Sequence, residues 1–119
     1  MLVVEDEALV ALDLEMTVQA EGAEVVGPVG RLPAARRLAE GEALDLAILD
    51  IMVGTDEVFP LARDLAARGV PFVFHSGHAD PKSLEGEFPW ALHCPKPCSP
   101  RTIVKALERL AAGRGDAEG

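Results

Sequence analysis

Five side chains in this sequence have the types and order needed for phosphoryl chemistry: Glu5, Asp6, Asp50, Ser76 and Lys96. Each follows a short apolar run, as in Leu2-Val3-Val4 before Glu5 and Leu46-Ala47-Ile48-Leu49 before Asp50. Three carboxylates in one pocket repel one another unless a cation lies among them. Oxygen ligands alone favour a hard divalent ion, Mg2+ or Mn2+. Beside such an ion an aspartate can attack phosphorus as a carboxylate nucleophile and form an acyl phosphate. An ammonium and a hydroxyl then offset charge on the equatorial oxygens. On this reading Asp50 is the candidate phosphoacceptor, Glu5, Asp6 and Asp50 are candidate metal ligands, and Ser76 and Lys96 are candidate phosphate contacts.

These residues can meet only if the apolar runs are neighbouring strands. Five such runs alternate with longer helical patterns, the rhythm of repeated strand-helix units around a parallel sheet, so the expected class is α/β and doubly wound. The strand candidates are Leu2 to Val4, Glu24 to Val29, Leu46 to Leu49, Phe72 to His75 and Ala91 to His93. The middle runs are continuously apolar, as strands covered on both faces should be. In such sheets the functional crevice lies outside the carboxyl ends of the strands, and all five chemical residues follow strands.

The helices are marked by spacing and punctuation. Leu9, Leu12, Met16 and Ala20 recur at helical spacing until Gly22, which suits a left-handed cap. A second helix is expected over Pro33 to Glu40, and a third carries Val58, Leu61, Ala62, Leu65 and Ala66 on one face and stops at Gly69. In the last, Ser99 can accept from first-turn amides, Pro100 takes the first helical position, and Ile103, Ala106, Leu107 and Leu110 form a stripe. Between Ala79 and Trp90, two prolines and a glycine leave at most a short or irregular fourth helix. Residues 1–112 read as one domain and 113–119 as a flexible tail.

With 119 residues the chain has room for one core. An aromatic share of 4% predicts an aliphatic one. A formal net charge of -9 argues against direct binding to nucleic acid, whose phosphates are gripped by lysine and arginine. No apolar run approaches the ~20 residues that cross a bilayer, and the first residues lack the basic region of a signal peptide, so the cytoplasm is the expected compartment. Cys94 and Cys98, four apart across two prolines, make no disulfide framework.

The acidic pair Glu5-Asp6, Asp50 at the end of its apolar run, Ser76-Gly77 and Lys96-Pro97, in this order with helices between, resemble the response-regulator receiver family over nearly the whole chain. The resemblance implies the flavodoxin-like strand order 2-1-3-4-5 with helices on both faces, an order for which a receiver is a known example. It implies that Asp6 binds the metal directly and Glu5 through water, with Asp50 and the backbone carbonyl of Met52 completing the protein's ligands. It implies that Lys96 contacts the phosphate across a cis Lys96-Pro97 bond, that Ser76 moves toward the phosphoryl group, and that His78 lies where side chains influence phosphate lifetime. Pro71-Phe72-Val73-Phe74 and Val58-Phe59-Pro60-Leu61-Ala62 look like a subgroup of stand-alone bacterial receivers.

The chain departs from the family in three places. His93 stands where an aromatic switch residue is common, Cys98 replaces the frequent phenylalanine after Lys-Pro, and the stretch between Ser76 and Lys96 is poor in helix. His93 is therefore read either as a partner-facing switch residue or as a half-exposed strand residue.

The resulting expectation is a non-enzymatic signalling switch that takes a phosphoryl group from a histidine kinase or phosphotransfer protein. Its self-catalysed reactions are limited to Mg2+-dependent transfer and autodephosphorylation. With no second domain it acts through another protein, serves as a phosphate sink, or is a receiver piece of a longer regulator. A receiver that binds partners without phosphorylation is the alternative. A nucleotide or flavin binder would need a phosphate-cradling loop where Glu5-Asp6-Glu7 stands. An aspartate-nucleophile phosphatase would carry an acid at the position of Met52. His75, His78, His93, Cys94 and Cys98 fit no common zinc spacing, and Trp90 is expected to pack at the sheet edge.

Overall fold

The computed structural model describes residues 1–76, 88, 92–95 and 99–118, with backbone alone for 76, 95, 100 and 111–118. The elements are β1 (Leu2–Val4), α1 (Ala8–Ala20), β2 (Val26–Val29), α2 (Leu32–Gly41), β3 (Ala47–Leu49), β4 (Met52–Val53), β5 (Asp56–Glu57), α3 (Phe59–Ala67), β6 (Phe72–Ser76), β7 (Leu92–Pro95) and α4 (Pro100–Glu118). Five strands form a parallel sheet in the order β2-β1-β3-β6-β7, which is the expected doubly wound order once the small β4-β5 hairpin is set aside. Among the described residues no helix is long and apolar enough to cross a membrane.

Strand alternation explains why the sheet is covered on both sides. Leu2, Val4, Leu49, Phe72 and Phe74 pack with α2 and α3 residues such as Ala35, Ala39, Leu61 and Leu65. Val3, Ile48, Val73 and Cys94 turn the other way, onto Leu14 and Val18 of α1 and Ile103 and Leu107 of α4. Low aromatic content did not make the first of these layers aliphatic. The chain's four phenylalanines gather there, with Phe72–Phe74 centroids 5.0 Å apart and Phe88 5.5 Å from Phe72, 5.6 Å from Phe74 and 6.2 Å from Phe59.

The apolar spacing identified α1 but picked out the wrong face. Leu9, Leu12 and Met16 are 84%, 51% and 60% exposed, while Ala11, Leu14 and Val18 are buried. The helix is apolar on two sides, so two stripes satisfy the spacing, and only contact with the sheet decides between them. The other helices follow expectation. Gly22 and Gly69 take φ of +84° and +73° just past α1 and α3. Ser99 Oγ accepts the Thr102 amide at 3.2 Å, as the capping reading of α4 requires. That helix continues to Glu118 and includes Gly113 and Gly115, each costing about 1 kcal/mol in a helix interior, with no proline after Pro100 to stop it.

Strand limits shift by one or two residues: β2 starts at Val26, β3 at Ala47, β6 reaches Ser76 and β7 covers Leu92–Pro95. In β2 an extra residue sets Leu2 against Val26 but Val4 against Val29. Gly27 makes this possible with φ +101°, since a Cβ there would stand 2.9 Å from the Val29 nitrogen and 3.0 Å from the Val3 oxygen. The bulge brings the Val29 carbonyl to the Glu5 amide at 2.9 Å and so fixes the first acidic residue at the end of β1. The expected short fourth helix lies outside the described residues, except for Phe88, which is buried.

Candidate functional site

The parallel register builds the site. Val4, Leu49 and Phe74 form one row across β1, β3 and β6, and the next residue on each chain is Glu5, Asp50 and His75. Each stands two residues past Val3, Ile48 or Val73, so continued alternation carries all three toward the α1/α4 side at the carboxyl edge. The Asp50 amide donates to the Val4 carbonyl at 2.9 Å, which ties the residue to β1 even though β3 ends before it.

Glu5, Asp6 and Asp50 each bring a carboxylate oxygen within 4.8 Å of the others. Glu5 is 2% and Asp50 5% exposed, whereas Asp6 opens to solvent. Two largely buried like charges beside a third are screened little by water, and an all-oxygen donor set of this compactness fits a hard divalent cation. The acid cluster is held by backbone. The Glu7 amide donates to Glu5 Oε1 at 3.1 Å and the Gly54 amide to Asp6 Oδ2 at 2.9 Å. The Glu7 amide, which in a nucleotide binder would face phosphate at the start of α1, here serves a carboxylate.

Gly54 belongs to a hairpin that the sequence reading did not anticipate. Val53 pairs with Asp56 and Met52 with Glu57. The two-residue turn has positive φ at Gly54 (+65°) and not at Thr55, the pattern of a type II′ turn. A Gly-Thr step between Met-Val and Asp-Glu was the available signal, obscured because each strand has only two residues. Gly54→Val is expected to cost about 1–3 kcal/mol through backbone strain at that φ, read as a lowered urea midpoint with unchanged slope. Wild-type stability in this variant would contradict the turn geometry.

The remaining candidates are distributed as follows. Met52 opens β4 with its side chain exposed, two residues past Asp50. Ser76 is the last residue of β6, in register with Pro95. His93 is half-buried in β7, opposite Phe74. Cys94 is buried in β7 opposite His75. Lys96, with Pro97, Cys98, His78 and Trp90, lies outside the described residues.

His75, which the sequence places at the end of a strand among residues that fit no zinc spacing, is a neighbour of the site. Its Nδ1 stands 3.8 Å from Glu5 Oε2, with the two side chains 4% and 0% exposed. Its signal was an imidazole closing an otherwise apolar strand immediately before Ser76.

No family model matches the chain. Over 69 residues, 58% of its length, it is 35% identical to the transcriptional regulatory protein PdtaR of Mycobacterium tuberculosis, and the match spans about a third (34%) of that protein. Among solved structures it resembles a response regulator receiver protein from Sinorhizobium medicae, with 26% identity, TM-score 0.85 and coverage of 95% of this chain and 94% of that one. It also resembles SdrG from Sphingomonas melonis, with 36% identity, TM-score 0.79 and coverage of 92% and 93%.

Proposed function

The chain belongs to the response-regulator receiver family of two-component signalling, and from that premise we propose that Asp50 accepts a phosphoryl group from a histidine kinase or phosphotransfer protein. The observation that carries this reading is the meeting of Glu5, Asp6 and Asp50 within 4.8 Å at the carboxyl edge of the sheet.

The chemistry follows from the positions. A carboxylate oxygen of Asp50 forms a bond to phosphorus as the donor's phosphorus–nitrogen bond breaks, and the departing electron pair and a proton end on the donor imidazole. Asp6, Asp50, the Met52 carbonyl and, through water, Glu5 would hold a Mg2+ ion, which when bound supplies positive charge for the phosphoryl oxygens. The Gly54 and Glu7 amides keep two of these carboxylates in place before any partner arrives. Lys96 neutralises a further oxygen, and Ser76 meets the phosphoryl group, transmitting its presence along β6 toward β7 and His93.

The same reading gives the exposed face of α1 a use. Leu9 lies three residues past Asp6, and Leu9, Leu12 and Met16 lead away from the acidic edge as an apolar stripe. The stripe is suited to the apolar side of the donor's helices. The net charge of -9 argues against direct engagement of nucleic acid phosphates and so supports an output through a protein contact.

Incubating the protein with a small acyl phosphate, with and without Mg2+, tests the reading by intact mass. One phosphoryl adduct that requires Mg2+ is the expected result. No adduct from the small donor or from candidate kinases would leave a phosphorylation-independent binding module.

A further inference from the structure

We propose that His75 is a positioning residue for Glu5, fixing that carboxylate for divalent-ion binding. The proposal rests on the metal-dependent reading above and names a residue that this reading does not use.

Glu5 and His75 project from strands on opposite sides of β3. Neighbouring strands are about 4.8 Å apart, so the two backbones are separated by roughly twice that distance. Their side chains nevertheless meet, at 3.8 Å between Oε2 and Nδ1. The contact therefore spans β3 at the level where Asp50 emerges. Glu5 Oε1 accepts the Glu7 amide at 3.1 Å on its other side. The carboxylate thus lies between the start of α1, which donates to it, and the imidazole at the end of β6, close to Asp6 and Asp50.

The chemical type of residue 75 supports a polar role. The preceding residues, Phe72, Val73 and Phe74, are fully buried and apolar, and an aliphatic side chain would continue that packing. An imidazole at 3% exposure is costly unless it interacts with polar groups, and the metal-site carboxylate is one that it approaches here. Partners that orient ligand carboxylates commonly change metal affinity by about 10–100-fold when removed.

The test compares wild type, His75→Leu and His75→Asn, each checked for folding by circular dichroism, in calorimetric titrations with Mg2+ and Mn2+. Leucine keeps an apolar volume, while the asparagine amide places a donor near the position of Nδ1. Affinity is expected to fall about tenfold in His75→Leu and to return to within about threefold of wild type in His75→Asn. Unchanged affinity in His75→Leu, or equal loss in both variants, overturns the positioning role while leaving the metal site intact. Absence of saturable binding by the wild type overturns both this inference and the metal reading beneath it.

Discussion

Asp50→Asn is expected to abolish phosphoryl uptake and, in metal-free buffer, to make the protein more stable by on the order of 1 kcal/mol. Both effects have one source. Asp50 supplies the nucleophilic oxygen, which an amide cannot replace. It also adds a buried negative charge, at 5% exposure, beside Glu5 and Asp6. Neutral asparagine keeps the shape and removes that repulsion. Mg2+ should stabilise the wild type and have much less effect on the variant, since a ligand at free concentration L that binds the folded state raises stability by RT ln(1 + L/Kd), which is small when binding is weak. Urea titrations of both proteins, with and without Mg2+, measure the difference directly. Equal stability in metal-free buffer together with equal Mg2+ response would mean that the three carboxylates do not act as one electrostatic unit.

The second large effect belongs to the core that carries the site. Phe74→Ala is expected to cost about 3–5 kcal/mol, a large part of the roughly 5–15 kcal/mol available to a domain. Phe74 is fully buried and its ring lies 5.0 Å from Phe72, 6.1 Å from Phe59 and 5.6 Å from Phe88. Its loss opens a cavity bordered by three other rings, directly before His75 and Ser76. Chemical denaturation should show the lower midpoint. A loss below 1 kcal/mol would mean that the aromatic layer collapses around the gap.

The order of chemical residues after apolar runs made both fold class and candidate site legible. Parallel strands with buried faces leave continuous apolar stretches, and the functional edge of such a sheet is fixed by chain direction, so Glu5, Asp6 and Asp50 could be grouped before any coordinates. Spacing alone could not orient α1. Its sequence offers one stripe through Leu9, Leu12 and Met16 and another through Ala11, Leu14 and Val18, and the sheet buries the second. The β4-β5 hairpin was too short to stand out, yet its Gly54 amide anchors Asp6. The contact between Glu5 and His75 depends on two strands separated in sequence but placed either side of β3, a relation that only the register reveals.

The most direct measurement of the central claim locates the phosphoryl group. After reaction with a small acyl phosphate and Mg2+, borohydride reduction converts an aspartyl phosphate to homoserine, and peptide mass spectrometry reads the position. Homoserine at residue 50 and nowhere else is the predicted result. A stable adduct that survives borohydride, or homoserine at Asp6 or Asp56 with residue 50 unchanged, would contradict the assignment of Asp50 as the phosphoacceptor.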